Sequence, residues 1–572
     1  MPQTNEYYHY GLTLPALLKR AAVKQPELCI GYFDKNSTLT TQTYGQLLSE
    51  ARRVAAGLHK LGLKQGDKII IATRLNRETI EFLWGSFLLG LVPTILQAPT
   101  NCADDNPALM KLLKVEELLK SPFVFLSSGM EECPSLLKGK IMLKGQLDVT
   151  GTFPEPELKP GDLAFIQFSS GSTGDPKGVM LNQNDLMVNM DAIRVGTDSH
   201  FPDRWGNWMP LFHDMGLIGY HLTPIYSMVS EYHVETLDFI MNPGLWLNMI
   251  SSQKVTIGGT TNFGLALVLK HLKRGRQLPD WDFSGMKTLL NGAEPISVKV
   301  MNEFVEALKP NNFRPETMMP VYGMSEATLA ISFASLWEKP VATAFDSSML
   351  DREHRAVKVE PSNPSARLLS EVGVALNDME VRIADDNDLV LEEGTFGHIQ
   401  IKGPSVTRGY YLNPSATASS FCGEWFRTGD MGFFFEGRLY ISGRSKDIIF
   451  KNGMHYFAND LEELACTIED IKYGKVCMGG TTDRITGRER VIAFVAGLSE
   501  VKARETFQEL RKLLRAKIGI CTDVLVLIKS NEIPKTSSGK LQRYKLMERY
   551  IKGDFDDRII RTDKNDCLEG LL

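Results

Sequence analysis

Phe168-Ser169-Ser170-Gly171-Ser172-Thr173-Gly174-Asp175-Pro176-Lys177-Gly178 is a run of small residues, hydroxyls and a single lysine. Small residues let backbone N–H groups converge on an anion, and hydroxyls with an ammonium complete a cradle for phosphates. The stretch reads as a triphosphate-binding loop. Apolar Leu163-Ala164-Phe165-Ile166 before it and Val179-Met180-Leu181 after it read as short strands. A Walker loop runs from Gly-Lys-Ser/Thr directly into a helix; here Gly178 and a strand follow Lys177, so that class is excluded. A Gly/Ser surface turn is the competing reading. Against it stand Pro176, which fixes the backbone before a lone lysine, and the strands abutting both ends.

A chain of 572 residues exceeds one ordinary core and predicts at least two domains. Hydrophobic residues at 43% and charged residues at 23% are those of a globular protein. Lysine plus arginine (64) against aspartate plus glutamate (69) gives a net charge of −5, so no nucleic-acid partner is expected. The cysteines form no C-x-x-C pair, and Cys29, Cys133, Cys466 and Cys477 stand in apolar context, which suits free thiols in a reducing compartment. No basic-then-apolar leader opens the sequence, and Phe82 to Ala98, broken by Gly85, Gly90 and Pro93, is too short to span a bilayer. A cytoplasmic protein without a transmembrane segment is expected.

Leu14, Leu17, Leu18 and Ala21 recur at helical spacing, as do Tyr44, Leu47, Leu48, Ala51, Leu58 and Leu61 before Gly62. Lys68 to Ala72 reads as a strand followed by a helix through about Leu89, so the class is α/β and layered. Around Trp205 to Gly219 an aromatic-rich loop carries His213 and Asp214. A metal reading there needs further ligands, and His221 and His233 are too loosely placed to supply them; a satisfied core histidine and a substrate-facing one both remain open. Leu289-Leu290 runs into Asn291-Gly292-Ala293-Glu294-Pro295, and Val321 into Tyr322-Gly323-Met324-Ser325-Glu326-Ala327-Thr328. Both have the form of an apolar strand ending in a glycine turn, where α/β sheets place ligand contacts. Tyr322 offers a flat face and Glu326 a hard oxygen for magnesium.

From Val374 to Gly443 short strands and frequent turns suggest a small barrel or antiparallel sheet. Within it, Asp430 of Trp425-Phe426-Arg427-Thr428-Gly429-Asp430 is read as ending a tight turn, either receiving both ribose hydroxyls or capping the turn. Gly443-Arg444-Ser445-Lys446-Asp447 is the expected boundary between domains 1–443 and 444–572. Asn459 with Glu462 resembles a helix-start box, Val491–Val495 and Val524–Ile528 read as strands, and the chain beyond Lys552 as a loosely held tail.

In this order, the phosphate loop, Tyr322-Gly323-Met324-Ser325-Glu326, Thr428-Gly429-Asp430, Gly443-Arg444-Ser445-Lys446-Asp447 and Pro534-Lys535-Thr536-Ser537-Ser538-Gly539-Lys540 resemble the adenylate-forming ligases. Leu211-Phe212-His213-Asp214-Met215-Gly216 and the wording of the other motifs are similar to one branch, the fatty acyl-AMP ligases. The resemblance implies a large N-terminal domain of layered α/β subdomains with a small β-barrel-like subdomain, and a small mobile C-terminal α+β domain. It implies ATP and Mg2+ as cofactors, a fatty acid as substrate and the phosphopantetheine of an acyl carrier protein as acceptor, with an acyl-CoA ligase as the alternative.

The same resemblance implies that Ser170, Gly171, Ser172, Thr173, Gly174 and Lys177 hold the β/γ-phosphates. Gly292, Ala293, Glu294 and Tyr322, with Gly323, Met324 and Ser325, would hold the nucleotide base, and Asp430 and Arg444 the ribose. Glu326 would hold magnesium and act with His213 and Lys540 in catalysis; Lys446 would be the hinge. Two anions must approach one another, so catalysis would rest on positioning and cationic stabilisation. Losing Lys540 would then cost about 2.7 to 4 kcal/mol of barrier. The branch carries an extra segment, thought to restrain the C-terminal domain or disfavour coenzyme A; here 341–371 fills that place, and on its own residues it reads as a variable surface loop. Two departures from the family pattern are Ala458 where a proline is usual after Tyr456-Phe457, and Thr261-Asn262 in place of Pro-Asn.

Overall fold

The computed structural model describes residues 12–561, apart from 104–105, 128–136, 138–140, 144–146, 148–149, 170–175, 274–279, 452–453, 483–488 and 536–540. Ile69, Ile70 and Ile71 are fully buried in the strand Lys68–Ala72, the continuous apolar run required of a strand covered on both faces. This strand belongs to a parallel sheet in the order Val92–Ile95, Lys68–Ala72, Phe123–Leu126, Ile141–Leu143. The helix Tyr44–Lys60 that packs beside it starts at Thr43, whose hydroxyl accepts from Gln46 N while Gln46 Oε1 accepts from Thr43 N. Gly62, at φ +86°, ends it as expected.

The central layer is a nine-stranded sheet. Met318–Gly323, Thr288–Asn291, Ile257–Thr260, Arg204–Asn207, Ser230–Val234 and Cys29–Phe33 run parallel through it, with antiparallel strands at both edges. The expected strands Leu163–Ser169 and Lys177–Asn182 form an antiparallel hairpin. Glu380–Ala384, Gly397–Lys402, Trp425–Phe435 and Arg438–Arg444 build the expected antiparallel sheet, irregular in register at His398/Gln400 and Met431/Gly432. Such irregularities bend a sheet toward a half-barrel. After Ile448 comes an α+β unit. Its sheet runs Val476–Thr482, Glu489–Ala496, Val524–Ile528, Ile559–Arg561, with an apolar cluster around Phe507 and Leu510 and another around Phe494 and Leu546.

Several expectations are corrected. Asp430 lies inside the strand Trp425–Phe435, not at the end of a turn; Gly429, at φ +75°, supplies the local bend that resembles one. The segment 341–371 is ordered: Ala342–Asp346 pairs antiparallel with Ala366–Ser370, and buried Phe345 and Leu350 join Phe433, Tyr440 and Phe457 in one cluster. Strands this short, separated by a helix Ser347–Arg352, leave little period to read. The helix Ala458–Ala465 starts at Phe457 without a side-chain cap, and Asn459 Nδ2 instead donates to Ser442 O and Asp460 Oδ1. The chain beyond Lys552 is held as far as Arg561, since Phe555 is buried and Ile559–Arg561 completes a sheet. The loop around Trp205 to Gly219 gives way at Met215 to a wide π-type helix, Met215–Leu222. Cys29, Cys422, Cys466, Cys477 and Cys521 are free thiols, but Cys102 is disulfide-bonded, a pairing that cysteine spacing does not reveal. Among the described residues no helix is long and apolar enough to cross a membrane.

Candidate active site

Parallel strands carry their ligand loops at the carboxyl edge, and here the loops leaving Thr260, Asn291 and Gly323 are knitted together there. Phe263 N donates to Glu294 Oε1 at 2.5 Å, and Asn262 Nδ2 donates to Pro295 O. Thr261 caps the helix Asn262–Leu272, its hydroxyl accepting from Gly264 N at 3.2 Å; a proline there would lack this oxygen. Gly292 faces Val321 so closely that an added Cβ would lie 2.7 Å from Cγ2. Ala293 is held at φ +69°, a conformation that costs a non-glycine residue about 1–3 kcal/mol. Such strain collects at ligand sites.

Tyr322, Asp430 and Arg444 form a chain. The buried Tyr322 hydroxyl donates to Asp430 Oδ2 at 2.7 Å, and Arg444 Nε lies 3.1 Å from Asp430 Oδ1. Asp430 beside it raises the arginine pKa, and burial raises that of the tyrosine. Each carboxylate oxygen keeps a lone pair for a diol. Thr428 fixes the strand here, donating to Ile399 O at 2.8 Å and accepting from Asp430 N at 3.0 Å.

Glu326 stands in the 3-10 turn Ser325–Ala327. Its backbone carbonyl accepts from Thr407 N at 2.7 Å and its Oε1 from the Tyr410 hydroxyl at 2.9 Å. Burial raises the Glu326 pKa, so a cation would relieve the charged form. Magnesium in phosphate sites takes one or two carboxylates beside substrate oxygens; the donor set fits that ion. The Tyr410 ring also lies 5.1 Å from Lys177 Nζ, so one side chain touches both the predicted phosphate lysine and the predicted metal carboxylate.

His213 and Ser325 meet at Asp214, whose oxygens lie 2.7 Å from His213 Nδ1 and 2.5 Å from Ser325 Oγ. Gly323 admits no side chain, since a Cβ would fall 2.0 Å from Leu329 O. From the other side, Lys535 Nζ sits 5.4 Å over the Phe263 ring, which brings the start of the Lys540-bearing segment to this edge. Arg543, just after that segment, reaches Asp447 at 3.0 Å and Glu462 at 2.6 Å. Lys446 precedes Asp447 in the turn Ser445–Asp447, and burial, with Arg444 alongside, lowers its pKa to about 8.

The structure thus brings together Lys177, His213, Gly292, Ala293, Glu294, Tyr322, Gly323, Met324, Ser325, Glu326, Asp430, Arg444 and Lys446. Ser170, Gly171, Ser172, Thr173, Gly174 and Lys540 lie outside the described residues. Sequence reading missed Tyr410, Asp214 as the link between His213 and Ser325, and Arg543.

It also misjudged His221 and His233. Both converge on buried Glu231, with His221 Nδ1 2.8 Å from Oε1 and His233 Nε2 3.4 Å from Oε2. Glu231 and His233 alternate on one face of a strand, a signal that was present in the sequence. One side of the cluster is wired for a proton. Trp84 Nε1 donates to His221 Nε2 at 2.8 Å, so His221 Nδ1 carries a hydrogen toward Glu231 Oε1, whereas His233 Nε2 and Glu231 Oε2 have no hydrogen-bond partner among the described residues. Metal ligation by His221 Nδ1 would require that proton to leave.

Residues 18–411 match the AMP-binding enzyme family. A protein of Caulobacter vibrioides provisionally named an acyl-CoA synthetase is 31% identical over 524 residues, 90% of this chain and 91% of that protein. A medium-chain-fatty-acid–[acyl-carrier-protein] ligase of Teredinibacter turnerae is 31% identical over 419 residues, 70% of this chain and 64% of that protein. Among solved structures, one from a study of fatty acyl-adenylate ligases of E. coli and L. pneumophila superposes with a TM-score of 0.86 at 27% identity, over 95% of this chain and 98% of that one. The matched span runs through the hairpin of Lys177, the glycine turns and Tyr410, and on that ground the chain belongs to the AMP-binding family of adenylate-forming enzymes.

Proposed function

We propose that the enzyme activates a fatty acid with ATP and passes the acyl group to the phosphopantetheine thiol of an acyl carrier protein. The observation that carries the reading is the Lys177–Tyr410–Glu326 contact beside the Tyr322–Asp430–Arg444 chain, a triphosphate and metal end next to a nucleoside end. In the first step a carboxylate oxygen bonds to the α-phosphorus, the bond to the β-phosphate oxygen breaks, and its electron pair leaves with pyrophosphate. Lys177 and the loop before it clamp that leaving group. Bound magnesium would neutralise phosphate charge, held by Glu326. Lys540 would bridge the entering carboxylate and the α-phosphate. In the second step the thiol sulfur bonds to the acyl carbon, AMP leaves with the electron pair of the C–O bond, and the thiol proton passes to solvent. Residues 444–572, whose two main apolar clusters are their own while Phe457 packs with Phe345 and Phe433, would pivot at Lys446 between the steps.

Fatty-acid-dependent ATP–pyrophosphate exchange tests the first step; coenzyme A and holo-carrier protein as rival acceptors test the second. The relative named as an acyl-CoA synthetase supports coenzyme A as the second reading, and faster acyl-CoA than acyl-carrier formation would establish it instead. Lys177→Ala is expected to slow adenylate formation roughly tenfold or more while leaving transfer from pre-made acyl-adenylate near wild type. Equal losses in both half-reactions would remove the pyrophosphate clamp.

A further inference from the structure

The helix Pro107–Leu118 lies beside the hairpin that carries Lys177, and no motif marks it. Asn106 starts it, its Oδ1 accepting from Ala108 N at 3.0 Å and from Leu109 N at 3.2 Å. Leu112 and Val115 pack with Ile166 and Phe168 in one apolar cluster, which sets the helix against the strand Leu163–Ser169. One residue before Leu112, Lys111 turns its Nζ onto the Phe168 carbonyl at 3.0 Å. Phe168 pairs with Gly178 and Ser169 with Lys177 in the hairpin. That pairing has no slack, since a Cβ at Gly178 would fall 2.8 Å from Ile166 Cγ2 and 2.9 Å from Phe168 Cε1. Whatever fixes Phe168 therefore fixes Lys177.

The charge of Lys111 is the second observation. Burial lowers its pKa to about 8 with no carboxylate contributing, and among the described residues no carboxylate pairs with it. A half-buried cation opposed only by a neutral carbonyl is costly to keep, and an incoming polyanion would offset that cost. We infer that Lys111 is a positioning residue for the pyrophosphate end of the site: it fixes the Lys177 hairpin through the Phe168 carbonyl and adds a second positive charge that a triphosphate compensates. The inference rests on the adenylation reading for where the triphosphate lies.

The test uses the full chain, with ATP binding followed by calorimetry and turnover by ATP–pyrophosphate exchange. Lys111→Met keeps the apolar stem and removes the charge; it is expected to weaken ATP binding and raise KM for ATP roughly tenfold, the worth of one hydrogen bond to a charged group. KM for the fatty acid and transfer from pre-made acyl-adenylate should stay at wild-type values, and Lys111→Arg should recover most of the ATP affinity. Unchanged ATP binding in Lys111→Met overturns the inference, as does an equal rise of both KM values with a lowered melting temperature, which marks a packing role alone. If the wild type exchanges pyrophosphate with no acid, the adenylation reading falls, while calorimetry still decides the role of Lys111. A wild type that binds no ATP overturns both.

Discussion

Glu326→Gln is expected to lower fatty-acid-dependent ATP–pyrophosphate exchange by about 10²- to 10³-fold, the range for loss of one preorganised electrostatic group. Glutamine keeps the shape and can still accept from the Tyr410 hydroxyl, which donates to Oε1 at 2.9 Å in the wild type, so the loss isolates charge from packing. A magnesium titration separates the causes: the variant should need far more metal for half-maximal rate, with fatty-acid KM little changed. Tyr410→Phe should show the same shift in weaker form, because the carboxylate then loses its orienting donor and Lys177 keeps only the ring. A pH arm follows from burial, which raises the Glu326 carboxyl above its ordinary value. Metal needs the ionised form, so at limiting magnesium the wild-type rate should fall on the acid side of that raised pKa, and this limb should vanish in Glu326→Gln. A glutamine variant active at wild-type magnesium concentrations removes Glu326 from metal binding.

The glycine-bearing turns were readable because their constraint is local. Gly292 and Gly323 stand at strand ends where a Cβ would strike Val321 or Leu329 O, and a strand–glycine–carboxylate run announces such an end. Tyr410 carries no comparable signal: its contact with Glu326 joins positions 84 apart in sequence, and the pairing of Gly409 and Tyr411 with the hairpin strand Lys177–Asn182 is what brings it there. Arg543 is hidden for the same reason, since its partner Glu462 lies 81 positions away. Asp430 reads as a turn residue in the sequence because Gly429 imitates a turn within a strand, and its contact with Arg444 is visible only in the fold. The His221–Glu231–His233 cluster shows the opposite failure: loose spacing along the chain is not distance in space, since a helix and a strand bring the rings together. Local chemistry was legible, and side-chain pairs made by layer stacking were not.

The segment 341–371 gives the second large expectation, that Arg367→Leu raises acyl-CoA formation relative to acyl-carrier formation roughly tenfold or more. Arg367, on the strand Ala366–Ser370, reaches Asp351 Oδ2 at 2.7 Å and Asp460 Oδ2 at 3.3 Å, and Asp460 belongs to the helix Ala458–Ala465 of the proposed mobile domain. Ser297 Oγ adds a second tie to that helix, donating to Glu463 Oε1 at 2.6 Å. Burial pushes the Asp460 carboxyl up to about 7 even with the guanidinium beside it, so the pair stabilises docking little in absolute terms but tolerates no loss of a partner. Removing one side of a buried pair costs about 3–5 kcal/mol; in Arg367→Leu that cost falls on the docked arrangement, because undocking returns Asp460 to water. The domain should then spend more time free to pivot, and a small diffusible thiol gains most from that freedom. The double variant Arg367→Leu/Asp460→Leu leaves no charge stranded across the docked contact, and Asp351, which loses its partner in both variants alike, cancels from the comparison, so the double variant should return the acceptor ratio toward wild type. An unchanged ratio in Arg367→Leu, or a double variant no closer to wild type than the single, separates this ion pair from acceptor choice and leaves 341–371 as packing for the half-barrel.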